Sequence, residues 1–204
     1  NVQGQNYTLG QDLVINGAFG GGAKNYALLL NSSEKLLFAI DDGDDNPFVI
    51  STSSVADGNW HHVVGVRDSV NINLYLDGSL IDSTADTTDT SIDSTNPLII
   101  GAGTNAGTGV VGNFFDGNID EVSIWNAELT SSQVTEIYNQ GKPGNLNNHS
   151  AYSNLVSWWQ LGENMSYDSN VWTVLDEKGT NNGTGANLAP AEDSIVNGVG
   201  TSAN

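Results

Sequence analysis

Three glycine-containing turns, each next to an alternating apolar run, constrain this chain more than any other feature. They are Asp57-Gly58-Asn59-Trp60-His61-His62-Val63-Val64-Gly65-Val66, Leu74-Tyr75-Leu76-Asp77-Gly78 and Phe115-Asp116-Gly117-Asn118-Ile119-Asp120-Glu121-Val122-Ser123-Ile124-Trp125-Asn126. β-branched and aromatic residues repeating with a period near two encode half-buried antiparallel strands, because successive side chains point to opposite faces. Tyr26 to Leu30 and Leu36 to Ile40 read as a hairpin across 31–35, and Phe48 to Ser53 as the next strand. Alternation puts Trp60, His62, Val64 and Val66 on one face, with Ile72, Leu74 and Leu76 facing the same core. Asp77-Gly78 is the dipeptide of a type I′ turn.

Connections are read from composition. Phe19-Gly20-Gly21-Gly22-Ala23 is a flexible turn, and Asp82 to Asn96 is an exposed Asp/Thr/Ser connection with a brief strand at Ser91-Ile92. Leu98 to Gly101 is a buried strand, and Gly101 to Gly112 a mobile glycine-rich loop. Thr130 followed by Gln133 forms a capping box that opens a short helix ending near Tyr138, with Gly141 as its stop. A length of 204 residues suits one all-β domain over 1–204.

Charge excludes several functions. Five Lys and Arg stand against 24 Asp and Glu, a formal charge of -19. Such a surface repels phosphate backbones, so no nucleic-acid partner is expected. No apolar run approaches the roughly 20 residues of a membrane helix, so no membrane insertion is expected. The absence of cysteine removes disulfides, thiolate metal sites and thiol catalysis.

The three segments in this order, followed by a capped helix, resemble the laminin-G/pentraxin-like branch of the concanavalin A-type β-sandwiches. The resemblance is clear for 26–141 and looser for 150–204. It implies an antiparallel two-sheet jelly-roll sandwich with one short helix. It also implies a module that binds glycans or builds extracellular and virion surfaces. In many relatives, segments like Leu155 to Glu163, Val174 to Gly179 and Asn182-Gly183-Thr184 precede the first strand. Here they follow the helix, an order that resembles marine phage structural proteins, and the tail is expected to close the same sandwich. The glucanase relatives carry two carboxylates on one strand, in a Glu-x-Asp-x-x-Glu pattern. Asp120-Glu121 is followed by no second Glu, so catalysis is not expected.

Candidate site residues follow. By alternation Asp120 shares a face with Val122 and Ile124, where a carboxylate needs a partner. That partner is either His62 or Arg67, or a calcium ion held with Asp116 and Asn118, since related modules often carry calcium at a sheet edge. Asp42 and Asp44, around Gly43, either form a second calcium loop or an exposed hairpin tip. Tyr75, Trp125 and Trp159 (with Trp158 and Trp172 behind them) are sugar-stacking candidates if exposed, and otherwise core residues. Trp60 reads as an inward aromatic and His62 as a structural hydrogen-bonding group. His61 and His62 are strand neighbours pointing apart, so they make no zinc pair. The expectation is a non-catalytic, calcium-stabilised, glycan-binding module in an extracellular, secreted or virion-surface setting. The alternative is a structural subunit joining copies of itself or other virion or filament proteins through its sheet edges.

Overall fold

The turn chemistry read from the sequence organises two antiparallel sheets in the first part of the chain. The computed structural model describes residues 9–17, 24–104, 109–142, 144–169 and 171–185. The turn at 19–23, the middle of the glycine-rich loop (105–108) and the tail beyond 185 lie outside the described residues. The chain divides into two compact units, Asn1–Gly117 and Asn118–Asn204.

The first unit contains β1 (Leu9–Asn16), β2 (Asn25–Asn31), β3 (Lys35–Asp41), β4 (Phe48–Ser54), β5 (Val63–Arg67), β6 (Asn71–Leu76), β7 (Ser79–Ala85), β8 (Leu98–Ile100), β9 (Gly103–Thr104) and β10 (Val111–Gly112). Five of them form a sheet in the order β4-β3-β2-β1-β8, and three form a second, β5-β6-β7. Leu30, Leu36, Phe38, Ile40 and Val49 of the larger sheet pack with Ile72 and Leu74 of the smaller. That shared core makes the unit a sandwich. Ile15, Ala27, Leu29, Leu37 and Ala39 form a second cluster from the alternate positions of the larger sheet. β3 is therefore apolar on both faces, which is why it reads as a continuous run rather than an alternation.

The β6–β7 turn is as its dipeptide requires: Asp77 has φ 50° and Gly78 φ 77°. At the outer strand β4, the Ile50 N–H donates to Asp82 Oδ2 of β7 at 3.0 Å. No strand forms at Ser91-Ile92.

The facing of β5 differs from the alternation reading. Val63 pairs with Leu76 and Gly65 with Leu74, so Val63 and Gly65 share the sandwich face with Ile72, Leu74 and Leu76. A Cβ on Gly65 would lie 2.3 Å from the Phe38 ring, so glycine is required by close approach. Val64 and Val66 point the other way. The strand starts at Val63 rather than Trp60, and a one-residue slip inverts every side chain.

The second unit contains β11 (Val122–Trp125), α1 (Ser131–Tyr138), β12 (Leu155–Trp159), β13 (Met165–Asp168), β14 (Val171–Val174) and β15 (Gly183–Gly185). β11 pairs with β12, and β13-β14-β15 form a meander. The Thr130–Gln133 capping box is present in both directions. The helix ends earlier than Gly141: Asn139 takes the left-handed cap with φ 42°, and its N–H donates to the Thr135 carbonyl oxygen. Leu146, Leu155 and Trp158 form the buried centre, with Trp125, Ile137 and Tyr152 against them. Glu121 has φ 54°, which breaks the strand just before β11. The alternation that placed Asp120 beside Val122 and Ile124 does not run through it.

Candidate functional site

The sequence Asp57-Gly58-Asn59-Trp60-His61-His62 forms the entry to β5 as a loop, not as strand. Gly58 permits the bend with φ 83°, and a Cβ there would meet nothing within 4 Å, so conformation rather than space selects it. Asp57 accepts the Asn59 N–H at 2.9 Å, closing the turn. His61 is gripped from both sides, with Nδ1 2.8 Å from Asp77 Oδ2 and Nε2 3.1 Å from Asp57 Oδ1. The backbone completes the clasp. The His62 N–H donates to Asp77 Oδ1 at 2.9 Å, and the Asp77 N–H donates to the His62 carbonyl oxygen at 2.8 Å.

Electrostatics follow from this geometry. The hydrogen bond to Asp77, seconded by Asp57, raises the His61 pKa above the ordinary histidine value against partial burial. The Asn59 N–H, the Asn59 side chain and His61 hold the Asp57 carboxyl down at about 2. Burial pushes the His62 imidazole down, with the Asp77 charge opposing.

What the clasp holds out is Trp60, whose surface is 54% exposed. The reading of Trp60 as an inward core aromatic is thereby corrected: the loop bonds lie ahead of the first strand pair and turn the indole outward. An exposed indole on the loop that also carries Asp57 and Asn59 can stack on an apolar ring face while polar groups of the loop meet the ligand's rim.

The sequence-nominated aromatics sit elsewhere. Tyr75 is only 5% exposed, because β6 is the central strand and both its faces are covered. Trp159 is also buried, its Nε1 donating to the Asn181 carbonyl oxygen at 2.9 Å. Trp125 packs edge-on to His149 at 4.9 Å and donates from Nε1 to Ser123 Oγ at 3.0 Å. Trp158 and Trp172 are buried as well. None of the three nominated platforms presents an open face like that of Trp60.

Among the calcium candidates, Asp42 is 2% exposed and has both carboxylate oxygens engaged by backbone amides. Oδ1 accepts the N–H groups of Asp44 (3.1 Å) and Asp45 (2.8 Å). Oδ2 accepts those of Asp89 (2.9 Å) and Thr90 (3.0 Å). Burial alone would raise this carboxyl, but the four amides hold it well below the usual carboxylate range. Asp42 is thus an anchor tying the 82–96 connection to the β3–β4 turn, while Asp44 is exposed. The Asp116 N–H donates to Gln11 Oε1 at 2.8 Å. Asp120 accepts the Glu121 N–H at 2.9 Å. Burial, with the Glu163 charge, raises its pKa. The described residues hold no group of three or more His, Cys, Asp or Glu arranged for a metal ion.

One carboxylate escaped the sequence reading. Asp12 on β1 is fully buried; Oδ2 accepts Asn113 Nδ2–H at 3.1 Å, and Oδ1 has no hydrogen-bond partner among the described residues. Burial raises its pKa, with Asn113 opposing. β1 is irregular here, its register with β2 shifting between Asp12 and Val14, and no local sequence motif marks the residue.

A sequence profile described as the concanavalin A-like lectin/glucanases superfamily matches residues 3–135. A candidate carbohydrate binding protein from Bacteroides ovatus ATCC 8483 superposes with a TM-score of 0.60 at 18% identity. The match covers 88% of this chain and 50% of that one, so the chain spans half the neighbour's length. At this identity the likeness is one of fold. An S-layer domain-containing protein from Clostridium thermocellum ATCC 27405 matches at 17% identity over 68% of this chain and 67% of that one, with a TM-score of 0.30. No curated protein sequence matches significantly.

Proposed function

The chain belongs to the concanavalin A-like lectin/glucanases superfamily, and from that premise we propose that it is a non-catalytic glycan-binding module acting outside the cell, with Trp60 as its stacking platform. The observation that carries this is the 54% exposure of Trp60 on a loop fixed by the Asp57–His61–Asp77 clasp. A loop fixed before binding loses little conformational entropy when a ligand settles on it. Its indole face attracts the slightly positive C–H groups of a pyranose, while Asn59 and the carboxylates supply polar contacts for hydroxyl groups. The pattern of paired catalytic carboxylates in the glucanases is missing from the β11 segment, which supports binding rather than hydrolysis.

Isothermal titration against a panel of soluble oligosaccharides tests this, with Trp60→Ala as the control. Binding by the parent and none by the variant is expected. An exposed side chain leaves stability within about 0.5 kcal/mol on removal, so misfolding does not confuse the outcome. Undiminished binding by Trp60→Ala refutes the assignment.

A further inference from the structure

Resting on the reading of Trp60 as a glycan platform, we propose that this site selects chains bearing protonated amino groups, such as partly deacetylated amino-sugar oligomers, over neutral or acidic glycans. The clasp of the loop that carries Trp60 combines two carboxylates, Asp57 and Asp77, with one imidazole, His61, so its charge is net negative. Neither the loop (55–62) nor the β6–β7 hairpin start (75–82) contains a Lys or Arg. Within these two segments an incoming uronate or sulfate would find no Lys or Arg, and His61 is already held by two carboxylates.

The rest of the molecule points the same way. A charge of -19 with five basic residues raises the local concentration of cations and repels polyanions within the Debye length. An ammonium close to an exposed indole gains cation–π attraction, and Trp is the best ring for it. Asp57 is the exposed charge that complements it, and it stays ionised down to about pH 2. A neutral pyranose uses the indole face alone; an amino-bearing one uses the face and the carboxylate together.

The test is titration of the full chain with chitosan oligomers, their fully N-acetylated counterparts and a polyuronate oligomer, at mildly acidic pH and at low and high salt. The parent should bind the chitosan oligomers best, with affinity falling as salt rises. Asp57→Asn should weaken binding of the chitosan oligomers several-fold more than binding of the acetylated oligomers, and Trp60→Ala should remove both. Equal affinity for acetylated and amino oligomers, lost in Trp60→Ala, overturns the selectivity but leaves the glycan platform standing. Retention of chitosan binding by Trp60→Ala overturns it too, by showing diffuse attraction to the acidic surface. Absence of binding to every oligomer removes the platform itself.

Discussion

Asp77 and His62 hold each other reciprocally: the Asp77 N–H donates to the His62 carbonyl oxygen at 2.8 Å, and Asp77 Oδ1 accepts the His62 N–H at 2.9 Å. This pair ties the tip of one hairpin to the loop that precedes its neighbouring strand. The orientation of Trp60 depends on it, because the loop has no regular ladder of its own.

Replacing Asp77 with Ala removes the acceptor for the His62 amide and for the His61 ring. A loss of about 1–3 kcal/mol in unfolding free energy is expected, the cost of leaving part-buried donors without a partner. Urea titration measures it. Fluorescence anisotropy of Trp60 in a background lacking the other tryptophan signals should fall as the loop loosens. An unchanged midpoint together with unchanged anisotropy refutes the role given to the clasp.

His61 gives a pH signature whose sign is fixed. Its folded pKa is raised by Asp77 and then Asp57, so the folded state holds its proton more tightly than the unfolded chain. The stabilisation is fully present below the unfolded value of about 6.5 and disappears as pH rises through the folded value. Unfolding free energies of the parent and His61→Gln should therefore converge from mildly acidic to alkaline pH. A gap that widens with rising pH contradicts the arrangement.

Asp42 has the opposite sign. Its folded pKa is depressed by the amides of Asp45, Thr90, Asp44 and Asp89 acting against burial. Its contribution is present above the unfolded value of about 3.9 and is lost as pH falls toward the folded one. Asp42→Ala should cost about 2–4 kcal/mol at neutral pH, because charge-assisted bonds to backbone amides vanish together. Hydrogen exchange should show faster amides at Asp89 and Thr90, and added calcium should not restore them.

At Asp12, burial raises the folded pKa, so ionisation opposes folding. Stability attributable to this group declines as pH rises from about 3.9 through the raised value. Asp12→Asn should flatten that segment of the stability profile, as read by denaturant unfolding at a series of pH values. A parent and variant with parallel profiles would show the carboxyl to be better solvated than its surroundings allow.

The sandwich was legible because its signals are local. The Asp77-Gly78 dipeptide dictates its own turn, the Thr130–Gln133 box its own helix start, and the alternation in β6 its own inward face. What was illegible depends on contacts across the chain. Trp60 looks like strand until Asp77, 16 residues beyond His61, is known to hold the loop. Asp42 looks like a calcium ligand until amides from 47 and 48 residues away arrive on its second oxygen. Alternation shows that Tyr75 lies opposite Leu74, but not that the second face of a central strand is covered too.

The bond from Ile50 to Asp82 has an effect beyond the unit that contains it. A flanking strand with unsatisfied amides invites another polypeptide to zip alongside, and fibrils grow from such invitations. Here a negative side chain sits on one of those amides, so any newcomer must displace a charge before it can register. Crowding many copies together should therefore leave this flank unjoined.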